Sequence, residues 1–187
     1  HCRVIVDTVD VHYRIEMMKS QITSNGVDLE RAEEIKRIEL GVYKKADMVI
    51  ALTEEDATIL KEDCPDLRVR IIPNIHPLKL SDQSPDKNTL IFVGGFSHDP
   101  NIDAVLYFCK DVLPFIRREV PNIQVNIVGS HPPRQIEELK SEFINVTGYV
   151  PSTTPYLHSS YVSVAPLRYG SGMKGKIGEA MAHGVPV

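Results

Sequence analysis

The sequence lacks the features that distinguish membrane, disulfide-rich and nucleic-acid-binding proteins. No apolar run approaches the roughly 20 residues of a membrane span, so no transmembrane segment is expected. The three cysteines, Cys2, Cys64 and Cys109, match neither a disulfide framework nor a zinc-ligand pattern, so we expect reduced thiols in a cytoplasmic protein. With 21 basic and 25 acidic residues the net charge is −4, so nucleic acid is not an expected partner and any anion site must be local.

Two ligand-binding patterns are also missing. No strand is followed by a helix-opening G-x-G-x-x-G together with an acidic residue about 20 positions later, which argues against an NAD-dependent dehydrogenase. No carboxylate-rich cluster follows a strand of the second half, so we expect no metal ligands. What remains is a chain of 187 residues, 42% hydrophobic and 25% charged, which is ordinary for one large or two small globular domains.

Strand-like and helix-like segments alternate in both halves, which predicts an α/β fold built on parallel sheets. The predicted strands are 3–7, 47–52, 69–72, 90–93, 123–128, 144–147, 161–166 and a last one from 185. The predicted helices are 29–45, 54–62, 101–119, 133–141, 156–160 and 173–183. The first strand is expected to be buried, and residues 17–25 to be irregular or weakly helical.

Local signals add detail to these helices. Asp28 is expected to cap the first helix and Thr53 the second, with Asp56 at the capping-box position. Pro114 should kink or interrupt the third helix, whose apolar face carries Cys109 toward the core. The predicted core stripe of the first helix is Ala32, Ile35, Ile38 and Val42.

A polar segment separates the two halves. Residues 76–88 contain two prolines, two serines and several charges without apolar periodicity, which predicts a linker. The predicted organisation is a partial N-terminal Rossmann-like domain at 1–75 and a second Rossmann-like domain at 89–187, both incomplete. The chain starts at His1 without a methionine and ends inside a predicted strand, so we expect a fragment of a longer protein.

Polar residues follow the first strand, at the edge where open α/β sheets bind ligands. His12 is a candidate general base and Asp10 the residue that would orient it. The alternative is a polar loop with capping roles, because one histidine near one aspartate is common.

Glycines follow two strands of the second half. Gly94 and Gly95 allow a ligand to approach the backbone without a Cβ in the way, although a tight strand-to-helix turn would use them equally. Gly129 ends the next strand, and His131 after it is interpreted as a surface-loop residue.

The most informative stretch is 162–187, VSVAPLRYGSGMKGKIGEAMAHGVPV. A loop with two glycines leads from a strand into a helix, whose unpaired N–H groups and dipole favour an anion. Lys174 and Lys176 in the predicted first turn oppose that dipole, which a bound anion would explain. Glu179 lies on the face of Lys176 and can accept hydrogen bonds from sugar hydroxyls. The alternative is a loop used only for packing, with Glu179 on a solvated helix face.

Two short motifs in this stretch carry a family resemblance. Glu179-Ala180-Met181-Ala182 stands in the predicted helix, and Gly184-Val185-Pro186-Val187 follows it. The combination resembles the nucleotide-sugar site of GT-B glycosyltransferases of the group 1 type (family 4). The resemblance covers 89–187 well and 1–80 loosely. Many members carry another glutamate earlier in the chain, separated by seven residues from the one that corresponds to Glu179. In this sequence that earlier position is Ser171.

The resemblance implies two facing Rossmann-like domains that transfer a sugar from a nucleotide diphosphate sugar to a saccharide, lipid or other small acceptor. It implies retention of anomeric configuration and no obligatory metal or cofactor, and it allows peripheral membrane contact of the full-length protein. The implied donor-binding residues are Gly94, Gly95, Gly129, Tyr149, Val150, Arg168, Gly172, Met173, Lys174, Lys176 and Glu179.

Several alternatives stay open within that resemblance. Tyr149 can pack on the nucleotide base or be a core residue with a satisfied hydroxyl. A nucleotide-sugar-binding module without transferase activity is slightly favoured by Ser171, and a sugar-nucleotide epimerase shares the GT-B architecture.

Overall fold

The computed structural model describes residues 2–23, 26–82 and 84–187. It divides into two compact units, one formed by His1–Ile75 with Tyr169–Lys174 and the other by His76–Arg168 with Gly175–Val187. Residues 169–174 therefore belong to the first unit, although they lie within the segment 89–187 that the sequence assigns to the second domain. In the described part of the chain, no helix is long and apolar enough to cross a membrane.

The first unit is a parallel three-stranded sheet with helices, as the alternating pattern predicts. Its strands are β1 (Ile5–Asp7), β2 (Met48–Ala51) and β3 (Val69–Ile71), in the order β1-β2-β3. Its helices are α1 (His12–Thr23), α2 (Gly26–Tyr43) and α3 (Glu54–Asp63). Thr53 caps α3 as predicted, because its side chain accepts a hydrogen bond from the Asp56 N–H at 3.0 Å.

Three predictions for the first unit are wrong in part. Only Val6 of β1 packs against the core, while Ile5 points to the opposite face and is 57% exposed. Residues 12–23 are a regular helix rather than an irregular segment, and residues 24 and 25 lie outside the described residues. The next helix starts at Gly26, so Asp28 is already inside it and is not at a cap position.

The core face of α2 also differs from the predicted stripe. Ala32 is buried and Ile35 is partly buried as expected, but Ile38 and Val42 are exposed. The inward face continues instead through Glu39 and Tyr43, one position later in each turn. A charged residue at a core-facing position explains why apolar periodicity alone gave the wrong stripe.

The second unit contains a parallel four-stranded sheet in the order β6-β5-β4-β7. The strands are β4 (Asp86–Val93), β5 (Gln124–Val128), β6 (Ile144–Gly148) and β7 (Ser160–Ser163). The helices are α4 (Asp99–Tyr107), α5 (Leu113–Glu119), α6 (Arg134–Glu137), α7 (Thr154–Ser159) and α8 (Gly175–Ala182). The predicted linker was 76–88, but β4 begins at Asp86, so the last three residues of that segment belong to the strand.

Helices cover both faces of this sheet. Phe92 joins the cluster that contains Ala104 and Val105 of α4, whereas the neighbouring Ile91 joins Leu157 of α7 and Ala180 of α8. Successive strand side chains point to opposite faces, so the two clusters lie on opposite sides of the sheet. This three-layer arrangement confirms the predicted Rossmann-like architecture.

The predicted helix 101–119 is interrupted as Pro114 led us to expect. A five-residue π-helical segment, Phe108–Val112, separates α4 from α5, and Pro114 lies in the first turn of α5. A proline lacks the N–H that would continue the α-helical ladder, which explains the break. Cys109 packs against the core, and burial raises the pKa of its thiol to about 11.

The predicted strand from Val185 is not formed. Val185 is buried in the cluster of α7 and α8, and Pro186 O accepts a hydrogen bond from the Ser163 N–H of β7 at 2.8 Å. The predicted helix at 173–183 is shorter in the structure, because α8 starts at Gly175.

Candidate functional site

The C-terminal ends of β4 and β5 bring Gly94 and Gly129 side by side. Val93 pairs in register with Val128, and the Gly94 N–H donates to Val128 O at 2.9 Å. A Cβ placed on Gly129 would lie 2.0 Å from Gly94 O, so only glycine allows this backbone approach. Backbone packing therefore accounts for Gly129 whether or not a ligand binds there.

Lys176 reaches this strand end from the first turn of α8. Its Nζ donates to Asn101 Oδ1 at 2.8 Å and lies 5.3 Å from the centroid of the Phe92 ring. Asn101, only 5% exposed, donates from Nδ2 to Gly95 O at 2.7 Å. A Cβ on Gly94 would meet the Asn101 amide at 2.9 Å. An ammonium group is thus fixed beside the paired glycines by a buried amide.

Arg168 is paired with a carboxylate of the same unit. Its Nε donates to Asp103 Oδ2 at 2.9 Å, and its Nη2 donates to Asp103 Oδ1. The guanidinium also stacks 5.2 Å from the centroid of the Tyr107 ring. Its positive charge is therefore matched within the protein.

Tyr149 and Val150 follow the end of β6. Tyr149 is 78% exposed, so the alternative that it is a core residue is wrong. Val150 packs partly against the cluster of α7 and α8. His131 is exposed with a φ of 55°, as expected for a surface-loop residue. An exposed aromatic ring beside an anchored valine can pack against a flat ligand group.

Glu179 lies on α8 and is held from the start of α7. Thr153 Oγ1 donates to Glu179 Oε1 at 2.5 Å. One turn later, His183 Nδ1 lies 2.8 Å from Glu179 O, and its Nε2 lies 3.2 Å from Thr154 Oγ1. Because a carbonyl oxygen only accepts, Nδ1 carries a proton and donates to it. Glu179 is therefore part of a bonded pair of helices rather than a residue on a solvated face.

The loop before α8 belongs to the first unit. Gly172 adopts a φ of 69°, and a Cβ on it would lie 2.1 Å from Asp10 Oδ1. The Gly172 N–H donates to Asp56 Oδ1 at 3.4 Å, so the Asp56 carboxylate already lies where an anion bound to this N–H would lie. Ser171 Oγ accepts from the Val11 N–H at 2.7 Å and donates to Val11 O at 3.2 Å. Ser171 thus fastens the loop to Val11.

Lys174 interacts chiefly with its own loop. Its Nζ donates to Ser171 O at 2.7 Å and to Gly172 O at 3.3 Å, and burial lowers its pKa. Met173 precedes α8 together with Lys174, so neither is in its first turn. The run Gly170–Gly175 fits G-x-G-x-x-G, and α8 begins at its last glycine. The glycine part of the dinucleotide-binding pattern is therefore present after β7, contrary to the expectation that the pattern is missing.

Both Asp10 and His12 are described, and neither a hydrogen bond nor an ion pair joins their side chains. His12 begins α1, and its Nδ1 lies 3.7 Å from Glu39 Oε1, whereas the Asp10 carboxylate lies against Gly172. Glu39 also accepts the backbone N–H groups of His12 at 3.3 Å and Tyr13 at 3.1 Å. A carboxylate at a helix N-terminus is stabilised by the dipole and by these donors. The carboxylate beside His12 in the structure is therefore Glu39, from α2.

The residues that hold the site were largely missed by sequence reasoning. They are Asp103, Thr153, His183 and Glu39. Paired threonines followed by proline at the start of α7 were an available signal for a helix N-terminus. Among the described residues, no three His, Cys, Asp or Glu side chains group closely enough to hold a metal ion.

Comparison with known families identifies the second unit. The family model for glycosyl transferases group 1 matches residues 87–187, more than half of the chain. The chain belongs to this family. A search of curated protein sequences found no match.

Solved structures show the same fold for this group 1 chain. A point mutant of S. aureus TarM in complex with fondaparinux, α-GlcNAc-glycerol and UDP is 14% identical, with a TM-score of 0.70. A second TarM structure is 16% identical with a TM-score of 0.66, and the GtfA/B complex is 16% identical with a TM-score of 0.57. The matches confirm the predicted GT-B type of α/β fold.

The matched structures are much longer than this chain. Each match covers 82% of the chain, but only 32% of the TarM mutant, 31% of the second TarM structure and 32% of the GtfA/B chain. The chain thus corresponds to about a third of the length of each solved structure that it matches.

Proposed function

We propose that the protein containing this chain transfers a sugar from a nucleoside diphosphate sugar to an acceptor. The observation that carries the proposal is the group 1 family match over residues 87–187. UDP and α-GlcNAc-glycerol in the TarM complex support a nucleotide donor and a saccharide acceptor, and make UDP the first nucleotide to test.

In this proposal the donor diphosphate binds at the C-terminal end of β4. Gly94 and Gly95 leave room for it, and Lys176, held by Asn101, supplies positive charge. Tyr149 and Val150 would contact the base, and Glu179 the ribose hydroxyls. The remaining candidate donor residues are Gly129, Arg168, Gly172, Met173 and Lys174.

The chemistry would depend on stabilising the leaving group. Negative charge builds on the diphosphate as the glycosidic bond breaks, so a preplaced ammonium interacts more strongly with the transition state than with the bound donor. We propose retention of anomeric configuration without an obligatory metal. The N-terminal half would bind the acceptor, with His12 as the candidate base and Asp10 as a second candidate residue nearby.

The first experiment is a calorimetric titration of the protein with UDP, GDP and ADP, each with and without EDTA. Selective binding of one nucleotide, unchanged by EDTA, would support the donor site and name the base. Glu179→Ala should weaken that binding by about 1–3 kcal/mol, the range for a lost hydrogen bond to a charged group. Unchanged affinity would remove Glu179 from the site.

A nucleotide-sugar-binding module without transferase activity is the second candidate. It is favoured by Ser171, which is bonded to Val11 where many relatives have a glutamate, and by Arg168, which is already paired with Asp103. Incubation of the full-length protein with radiolabelled sugar nucleotide separates the candidates. Release of nucleoside diphosphate supports a transferase, a changed sugar nucleotide without acceptor indicates an epimerase, and unchanged donor supports a binding module.

A further inference from the structure

Thr153 uses its hydroxyl in an unusual way for its position. It precedes α7 (Thr154–Ser159) as the N-cap residue, and its carbonyl oxygen accepts the Leu157 N–H at 3.0 Å. A threonine there ordinarily accepts a backbone N–H of the first turn with its side chain. Thr153 makes no such side-chain cap, and its hydroxyl donates to Glu179 Oε1 across 26 residues of chain.

The Thr153 hydroxyl and the Glu179 carboxylate lie on helices that are packed together. Leu157 of α7 and Ala180 of α8 are both fully buried and belong to one apolar cluster under these helices. Ala180 directly follows Glu179, so the backbone on both sides of the bond is fixed by packing. A freely rotating glutamate would lose conformational entropy on binding a ligand, whereas one already bonded to Thr153 has lost part of it beforehand.

The bond occupies only one of the two carboxylate oxygens. Among the described residues, no hydrogen bond is formed to Glu179 Oε2. A carboxylate oxygen accepts up to two hydrogen bonds, so Oε2 is the natural acceptor for a ligand hydroxyl. Vicinal hydroxyls such as those of a ribose present two adjacent donors to a fixed oxygen of this kind.

We infer that Thr153 is a positioning residue that fixes Glu179 for the ribose and so makes the site prefer ribonucleotides over 2′-deoxyribonucleotides. The inference rests on the proposed nucleotide-binding function. It goes beyond that function, because it assigns the preference for ribose over 2′-deoxyribose to Thr153 at the start of α7, whereas the carboxylate that contacts the ribose lies on α8.

Thr154 offers a matched control on the same helix end. Its Oγ1 contacts His183 Nε2 at 3.2 Å and makes no bond to the Glu179 carboxylate. Both threonines are partly buried and both link α7 to α8. A loss of general contact between the two helices would therefore affect both threonine variants, whereas a loss of carboxylate positioning would affect only Thr153.

The test measures dissociation constants for UDP and 2′-deoxy-UDP by calorimetry, with the GDP and ADP pairs as alternatives if UDP does not bind. The full-length protein is compared with Thr153→Val, Thr153→Ser, Thr154→Val and Glu179→Gln. Thr153→Val should weaken ribonucleotide binding about five- to tenfold, the effect of one hydrogen bond, and change deoxyribonucleotide binding much less. Thr153→Ser should restore the ratio of the two affinities, and Thr154→Val should leave it unchanged.

The outcomes separate this inference from the function it rests on. Unchanged discrimination in Thr153→Val, in a protein whose Glu179→Gln variant loses it, would overturn the role of Thr153 alone. Equal losses in Thr153→Val and Thr154→Val would indicate a structural role and overturn it too. If the parent protein binds none of the three ribonucleotides, the proposed function and this inference are both refuted.

Discussion

Lys176 is the residue on which the proposed donor site depends most, so Lys176→Met is the sharpest perturbation of it. Methionine keeps much of the unbranched apolar stem and removes the ammonium. The change leaves Asn101 Oδ1 without its 2.8 Å donor, but Asn101 keeps its own bond to Gly95 O. The local structure should therefore persist while the charge beside the glycine pair disappears.

The expected magnitude follows from the charge. One ammonium about 4 Å from one phosphate charge is worth about 4 kcal/mol at an effective dielectric constant of about 20, before the cost of removing water. Hydrogen bonds to charged groups contribute about 1.5–3 kcal/mol net. We expect Lys176→Met to weaken nucleoside diphosphate binding by about 2–3 kcal/mol, which is roughly 30- to 150-fold.

The assay compares a nucleoside diphosphate with the corresponding nucleoside on the same variants. Lys176→Met should reduce affinity for the diphosphate and leave affinity for the nucleoside unchanged, and Lys176→Arg should recover part of the loss. Lys140→Met is the control for net charge, because Lys140 is an exposed lysine of the same unit. Lys174→Met should have the smaller effect on affinity, since its Nζ is bonded to two carbonyl oxygens of its own loop.

Two results would refute this reasoning. Equal losses for the nucleoside and the diphosphate would mean that Lys176 supports the fold and not the phosphates. A diphosphate affinity unchanged in Lys176→Met but lost in Lys174→Met would move the anion site to the loop of the first unit.

Three further predictions concern stability and reactivity. Gly129→Ala should destabilise the protein by about 1–3 kcal/mol in urea unfolding, because its Cβ would lie 2.0 Å from a backbone oxygen, whereas Gly41→Ala, with nothing within 4 Å, should be neutral or stabilising. Burial and a hydrogen bond to a carboxylate raise the pKa of Tyr13 above its ordinary value. Only the unfolded chain then releases this proton just above about pH 10, so Tyr13 should lower stability with rising pH there by up to about 1.4 kcal/mol per pH unit. Burial also raises the pKa of Tyr43, so Tyr13→Phe should reduce the measured slope by the share of one group and leave the share of Tyr43. Cys109, with its pKa raised to about 11, should react with iodoacetamide at pH 8 far more slowly than the exposed Cys2, as mass spectrometry of the peptides would show.

The order of strands and helices was predictable from the sequence, although the core stripe of α2 and the burial of β1 were not. The alternation of short strands with helices predicted both parallel sheets, Thr53 marked the start of α3, and Pro114 marked the break before α5. Each of these features depends on the chemistry of a few neighbouring residues, which can be read directly from the sequence. The glycines at the ends of β4 and β5 were found for the same reason, although packing explains Gly129 as well as a ligand would.

The polar contacts of the candidate site were not predictable in the same way. No sequence pattern singles out Glu39, yet it lies on the inward face of α2 and accepts two backbone N–H groups of α1. Asn101 and Thr153 act on residues that are 75 and 26 positions away. Tertiary packing decides which of these distant residues become hydrogen-bond partners, and neither apolar periodicity nor capping rules contain information about tertiary packing.

The two lysines of the glycine loop show how the structure separates residues that the sequence treats alike. Both appeared as first-turn cations opposing a helix dipole, which a bound anion would explain. Only Lys176 is in α8, and its ammonium is fixed by a buried amide beside the paired glycines. Lys174 precedes the helix, satisfies carbonyl oxygens of its own loop, and has its pKa lowered by burial. A cation that is costly to bury and already bonded to its loop stabilises that loop, whereas a cation held at a strand end is preorganised for an incoming anion. At Lys174 the loop itself explains the cation, whereas Lys176 is the lysine that the proposed donor site uses for its charge.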